Sequence, residues 1–400
     1  MLLRCNSNDT GFILKTCAMA SVLLSSQVSA IELNDSTEIH GFFSQSYINS
    51  KNNNYFGESQ NGSFDFREAG INIFHEATPT LNFAAQLTSR KAGKTNDGRP
   101  RLDYALLDYS FYDKAGLRSG IRLGRTKTPY GFYNLIRDIP NARSGVSVPS
   151  SIYFEQLRNS LIATDGGNFY SNLNRDWGSL SFELYSGQTG TDTEMEYYVL
   201  QQDLPGKFDD ATMRGARILY ENLGGSLRLG LTYAHPEFDY IPGTLDPFGA
   251  GHVASDMWLY SFQYNQEKWS LTAEYLTADN EVTDFGVLPD RFSNTEAFYI
   301  QTDFRISQDV TTYLRYEEQT LDTKDPDGTK FYQPLFGAAH IAFGKNRVVG
   351  ARWDISENWM LRGEIHNTHG TLWLPKSDNP SLADRKEHWQ MLVLQLVYNF

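Results

Sequence analysis

Trp389-Gln390-Met391-Leu392-Val393-Leu394-Gln395-Leu396-Val397-Tyr398-Asn399-Phe400 closes the chain with a period of two. Successive side chains of an extended strand point to opposite faces, so Leu392, Leu394, Leu396, Tyr398 and Phe400 share one face. The same alternation recurs upstream. Trp269, Leu271, Ala273 and Tyr275 oppose Ser270, Thr272, Glu274 and Leu276. Trp359, Leu361, Gly363 and Ile365 oppose Met360, Arg362, Glu364 and His366. Val349, Ala351, Trp353 and Ile355 oppose Val348, Gly350, Arg352 and Asp354, and Leu227, Leu229, Leu231 and Tyr233 oppose Arg228, Gly230 and Thr232. Each pair of faces is apolar on one side and polar or charged on the other.

About sixteen such runs, each of roughly 10–14 residues, fill the chain after residue 30. They begin near Ser36, Ser63, Thr80, Arg101, Leu117, Asn159, Trp177, Thr212, Ser226, Ser255, Lys268, Ser293, Val310, Lys345, Trp359 and Glu387. The second and fourth alternate too weakly to assign their faces. No 3.6-residue helical pattern of useful length appears. Every second connection is a tight turn, such as Ala77-Thr78-Pro79, Lys114-Ala115-Gly116, Asn174-Arg175-Asp176 or Glu357-Asn358. The others are long and polar: Asn49–Gly62, Gln188–Ala211, Pro236–Ala254, Leu321–Gly344 and, longest, Thr128–Arg158. Tight turns at one end and long loops at the other predict an all-β, antiparallel transmembrane barrel over residues 31–400, with short periplasmic turns and long external loops. Closure is required, because an open edge would leave unpaired N–H and C=O groups in hydrocarbon. The apolar faces then meet lipid and the charged faces line a wet interior. An Arg facing lipid at the midplane would cost about 2–4 kcal/mol, which fixes the register. Trp177, Trp269, Trp359, Tyr220, Tyr264, Phe304 and Tyr398 lie near strand ends, where aromatic girdles are expected, although strands favour aromatics in any case.

Composition narrows the function. The 400 residues carry a formal charge of −13, which disfavours a nucleic-acid partner. No run approaches the ~20 apolar residues of a spanning helix. The 23 Tyr, 25 Phe and 7 Trp argue against disorder. Residues 1–30 read as a signal peptide that is removed: Arg4 and Lys15 precede the apolar stretch from Ala18 to Leu24, and Val28-Ser29-Ala30 suits cleavage. The charged leader is long, so translation starting at an internal codon such as Met19 stays open. Cys5 and Cys17 fall inside this leader, which leaves an exported chain without cysteine.

The layout resembles the Gram-negative outer-membrane porins. The likeness lies in the opening Ile39-His40-Gly41-Phe42-Phe43 strand and in the terminal Tyr398 and Phe400. It lies also in Gly124-Arg125-Thr126-Lys127-Thr128-Pro129-Tyr130-Gly131-Phe132-Tyr133-Asn134, where the fifth strand enters the longest loop. The resemblance implies a third loop folded into the lumen, a homotrimer, contact with outer-membrane lipid and lipopolysaccharide, and passive diffusion of small hydrophilic solutes. It also implies that Tyr398 and Phe400 are the mark read by the barrel-assembly machinery. The Pro-Glu-Phe-Gly-Gly type of loop is absent, so loop position carries over and an acidic constriction does not.

Candidate selectivity residues follow from charge and facing. The third loop brings Lys127, Arg137, Arg143 and Arg158 against Asp138 and Glu155. The fifth strand turns Arg118 and Arg122 inward and leads through Arg125 to that loop, and Arg352 and Arg362 join from later strands. The wider inward set adds Arg217, Arg228, Arg305 and Arg315, with Glu183, Glu274, Asp303, Asp354 and Glu364. This subset tilts basic, and fixed charge in a narrow pore selects the opposite sign, so a mild anion preference is expected. The alternative is that opposite charges pair across the wall and leave no preference. The acidic external stretch Asp192, Glu194, Glu196, Asp203, Asp209 and Asp210 reads as solvated surface or as a cation site near lipopolysaccharide.

Other classes fit less well. No G-x-S-x-G, P-loop or H-E-x-x-H motif is present. The eight His are scattered: His366 and His369 would face opposite sides of a strand, and His40, His75, His235, His252, His340 and His388 show no ligand spacing. Asp165-Gly166-Gly167-Asn168 reads as a turn or bulge. No catalysis, cofactor or metal is implied. A substrate-specific channel for small anions or sugars would use Tyr130, Phe132, Tyr133, Tyr153 and Phe154, and a structural or adhesion barrel would keep its lumen plugged.

Overall fold

The computed structural model describes residues 31–400 apart from 202, 203, 210, 287 and 288, and the leader expected over residues 1–30 lies outside the described residues. Sixteen strands form the wall. In chain order, β1 to β8 are Thr37–Lys51, Ser63–Thr78, Leu81–Ala92, Asn96–Lys114, Leu117–Lys127, Ala163–Arg175, Gly178–Thr189 and Ala211–Asn222. Strands β9 to β16 are Leu227–Ile241, Gly251–Asn265, Trp269–Thr283, Arg291–Arg305, Val310–Thr320, Phe343–Asp354, Trp359–His369 and His388–Asn399. Each strand pairs antiparallel with the next, and β16 returns to β1 with Leu392 opposite Asn49 and Leu396 opposite Gln45. Every wall strand therefore has two neighbours, and no edge is left to lipid.

The closing seam explains the terminal aromatic. Phe400 and Gly41 exchange two backbone hydrogen bonds of 2.9 and 3.0 Å. A Cβ on Gly41 would sit 2.4 Å from the Phe400 ring, so the glycine makes room for that ring. On β16, Leu392, Leu394 and Leu396 are exposed on the outside, while Val393, Gln395 and Val397 are buried within. β11, β14 and β15 keep the alternation expected of them. Six of the seven aromatics expected near strand ends meet in cross-strand pairs at the turn end: Trp177 with Tyr220 at 5.9 Å, Tyr264 with Trp269 at 5.8 Å, Trp359 with Tyr398 at 4.9 Å.

Strand limits differ from expectation where strands outrun their polar cues. β4 begins at Asn96 rather than near Arg101, and the second external loop shrinks to residues 93–95. Bulges near Gln86 and Ser89 take up the slack between β3 and β4, and such irregularity blurs a period-two signal. β9 runs on to Ile241, so the fifth loop spans only 242–250. Asp165-Gly166-Gly167-Asn168 is strand interior, not a turn: Gly166 faces Gly124 on one side and Gly187 on the other. A Cβ on Gly166 would lie 2.2 Å from the Ser186 carbonyl oxygen, so three strands approach closely along this glycine seam.

The external loops form a packed crown. Loop 4 carries helix α1, Thr193–Leu200, which the sequence pattern did not show. Asp192 caps it by accepting from the Met195 amide at 2.9 Å. Glu194 accepts from the Lys376 and Ser377 amides of loop 8 at 3.0 and 2.9 Å. Glu196 accepts from the Phe208 amide at 3.3 Å. These carboxylates cap and latch loops, and Asp203 and Asp210 lie outside the described residues.

Candidate pore constriction

Pro129 lacks the N–H that a further ladder bond would need, and beyond Lys127 the chain leaves the wall as the third loop, residues 128–162. Asn134 ties the two ends of this loop together, donating to the Thr128 and Leu161 carbonyls at 2.9 and 2.8 Å. The loop crosses the bore and is held from several sides. Glu274 of β11 accepts from the Phe132 amide (3.0 Å), the Tyr153 hydroxyl (2.5 Å), the Tyr299 hydroxyl (2.9 Å) and Ser261 (2.6 Å). Arg217 of β8 donates to the Gly131 carbonyl at 3.0 Å. Glu364 of β15 accepts from Ser147 N and Oγ at 3.0 and 2.8 Å. Arg315 donates to the Ser147 hydroxyl at 2.9 Å. From the opposite wall, Arg90 of β3 reaches Glu68 and Glu155, each at 3.0 Å.

Three cavities follow one another beside this loop. The external one has about 260 Å³ and is lined by Arg90, Arg99, Arg101, Arg125 and Arg158 with one carboxylate, Asp103. The central one has about 40 Å³, room for roughly one to three waters. It shares Arg90 and Arg158 with the external cavity and adds Arg137, Arg143, Glu68, Glu155 and Glu364. The cavity at the turn end has about 230 Å³, shares Arg143, and adds Arg228, Arg305 and Asp303. Across the three linings nine arginines stand against five carboxylates.

No protein-family model matches the sequence, and no curated protein does. Solved structures do match the fold. OmpT, an outer membrane protein of Vibrio cholerae folded in vitro, is similar with a TM-score of 0.58 over 93% of this chain and 100% of its own, at 11% identity. An anion-selective porin from Comamonas acidovorans gives 0.55 over 91% of this chain and 99% of its own, at 13% identity. The outer membrane channel DcaP of Acinetobacter baumannii gives 0.55 over 93% and 100%, at 12% identity. The likeness is one of fold, a closed antiparallel barrel like those of this porin and these outer-membrane proteins.

In this porin-like barrel the expected selectivity residues separate into wall, mouth and loop. Arg118 is half-exposed near the turn end, 3.9 Å from Asp113. Arg122 pairs with Asp108 at 3.0 Å and Glu183 at 3.4 Å and lies over the Tyr170 ring. Arg125 pairs with Asp165 at 2.8 Å and lines the external cavity. Lys127 bridges Asp103 (2.7 Å) and Asp138 (2.5 Å), and Arg158 also reaches Asp138. Arg137 binds the Tyr153 carbonyl at 2.9 Å and Glu155 at 3.1 Å. Arg143 donates to the Gly145 carbonyl at 2.6 Å, within the loop itself. Arg352 holds Asp354 and the Asn141 carbonyl at 2.9 and 2.8 Å. Arg362, buried, donates to the carbonyls of Pro140 (2.9 Å) and Gly145 and to Gln395. Of the five aromatics proposed for sugars, Tyr130, Tyr153 and Phe154 are buried in packing and only Phe132 and Tyr133 are partly open. Phe132 lies under the Arg228 guanidinium at 4.9 Å.

Sequence reasoning missed Arg90, Arg99 and Arg101 in the external cavity. They sit on β3 and β4, whose bulges hide which way side chains point. A basic cluster within a dozen residues of sequence was the available signal.

Proposed function

We propose that this barrel is an outer-membrane porin through which small hydrophilic solutes and ions diffuse passively, with a preference for anions. The observation that carries the proposal is the chain of three cavities beside the third loop, in which arginines outnumber carboxylates nine to five. Screening acts over ~8 Å at physiological salt, so solutes in so narrow a bore feel these groups. Many lining charges are paired: Arg90 with Glu68 and Glu155, and Arg99, Arg125, Arg158 and Arg228 with carboxylates outside the linings, Asp97, Asp165, Asp138 and Glu221. Arg143 and Arg305 are held by backbone carbonyls, and charge left over in this way favours anions mildly and does not exclude cations.

A second reading is supported by the central cavity of about 40 Å³ and by the density of bonds that pin the third loop. There the loop closes the bore and the barrel serves a structural or adhesive role. Liposome swelling with neutral sugars of increasing size decides between them. Entry that falls with solute size supports the diffusion channel, and no swelling supports the closed barrel. Saturable entry of one solute class would mark a substrate-specific channel instead.

The rest of the assignment follows the same reading. Export is by a cleaved leader over residues 1–30, and assembly uses Tyr398 and Phe400. The working unit is a homotrimer in contact with lipopolysaccharide, and stepwise insertion of conductance in threes would support that unit. A trimer form is described for OmpT of Vibrio cholerae.

A further inference from the structure

His369 ends β15 and His388 begins β16, and the two are direct cross-strand partners. Their rings stack at 4.2 Å and 19°. Glu387 stands beside them, with its Oε1 2.7 Å from His369 Nε2. One ligand atom from each of the three lies within 4.8 Å of the others. His369 follows Ile365 and Asn367 on the outward face, and His388 precedes Gln390 and Leu392 on the same face. The trio thus sits outside the bore, at the loop end of the wall. Eighteen residues of sequence separate His369 from Glu387, so ligand spacing along the chain could not reveal it.

The backbone beneath is firmly held. Gly370 donates to the Glu387 carbonyl at 2.8 Å, and the Trp389 indole donates to the Gly370 carbonyl at 3.0 Å. Phe343 packs edge-on against His369 at 5.0 Å. Lys345, opposite His369 on β14, is drawn to Glu318 at 2.7 Å. We infer that His369, His388 and Glu387 form a site for a divalent transition-metal ion of the zinc class. Two imidazoles and one carboxylate suit a borderline ion bound at ~2.0–2.2 Å, whereas Ca²⁺ and Mg²⁺ prefer all-oxygen sets. Ligand atoms up to 4.8 Å apart must close by about 1.4 Å, and the stacked rings must turn their in-plane lone pairs toward one point, to share such an ion, a movement within reach of these side chains at the end of the wall. Three protein ligands leave one position of a tetrahedral ion open, facing the headgroup layer. A water or an anionic headgroup oxygen fits there.

The test uses the full-length barrel, chelator-treated and purified in detergent. Titration with Zn²⁺ is expected to show one equivalent per chain bound in the micromolar range, not displaced by millimolar Ca²⁺ or Mg²⁺. His369→Ala, His388→Ala and Glu387→Gln should each weaken that equivalent at least tenfold while heat-modifiable gel mobility stays unchanged. Co²⁺ should give the intense visible absorption of a four-coordinate ion, lost in His388→Ala. A wild-type barrel that binds no more Zn²⁺ than the His369→Ala/His388→Ala double variant overturns the assignment, as does equal competition by Ca²⁺. His235, near Glu237 and Asp256, is intact in that double variant and serves as the background site.

Discussion

Replacing Glu274 with alanine removes an acceptor shared by four donors at the root of the third loop. Tyr153 and Tyr299 each lose their carboxylate partner, at 2.5 and 2.9 Å, in a place buried from solvent. The Phe132 amide keeps a second acceptor in the Tyr153 hydroxyl at 2.9 Å, so the two tyrosine hydroxyls bear most of the loss. An orphaned buried donor costs about 1–3 kcal/mol, which gives about 4 kcal/mol for the pair. At about 1.4 kcal/mol per tenfold, the fraction of molecules with the loop released rises by about three orders of magnitude. The wall itself stays closed, since its ladder does not depend on this side chain. Hydrogen exchange at the Phe132 and Tyr133 amides should speed up by a similar factor, and single-channel conductance should rise and become noisier. Glu274→Gln keeps the volume and one acceptor and should show a much smaller change. If Glu274→Ala leaves both loop protection and conductance as in the wild type, the loop is not held in the way described.

Arg99→Glu with Arg101→Glu alters the external mouth without touching the third loop's anchors, and should shift the reversal potential in a salt gradient toward cations while the barrel folds normally. Gly166→Ala places a Cβ 2.2 Å from the Ser186 carbonyl oxygen, so strands must part; a loss of about 1–3 kcal/mol is expected, read as a lower temperature of heat modification. Deleting Phe400 removes two seam hydrogen bonds, at roughly 0.5–1.5 kcal/mol each, and the ring packed on Gly41; refolding yield into micelles should fall. Asp378 latches the crown by accepting from the Gly57 and Lys94 amides at 3.1 and 3.0 Å, and burial pushes its carboxyl above the ordinary range. Its folded value exceeds its unfolded one, so its contribution is complete below the usual carboxylate range and is lost as pH rises through the raised value. Protection of loops 1 and 8 from protease should therefore be greater near pH 4 than at pH 7, and Asp378→Asn should flatten that difference.

The wall was legible because lipid outside and water inside impose period two on nearly every strand. β11, β14, β15 and β16 could be assigned face by face from residues such as Leu361 against Arg362. Strand ends were less legible, since β4 and β9 run past their polar cues into the crown. The third loop's place in the bore came only through resemblance; its anchors did not, because Glu274, Glu364 and Arg315 look like ordinary inward charges until the loop lies against them. Three arginines that line the cavities, Arg137, Arg143 and Arg158, could be picked out from the sequence of the third loop. Arg90, Arg99 and Arg101 stayed hidden behind bulges that break the pleat. The pairing of His369 with His388 is a property of register, and no spacing rule along one chain contains it.

Planar-bilayer recording of the purified barrel under a tenfold KCl gradient tests the central claim most directly. An aqueous bore lined by arginines, most of them paired, predicts discrete ohmic steps whose current reverses at a voltage of the sign set by chloride, well short of the ideal ~59 mV. A membrane that takes up the protein and stays silent, or one whose current reverses at the potassium side, would contradict it.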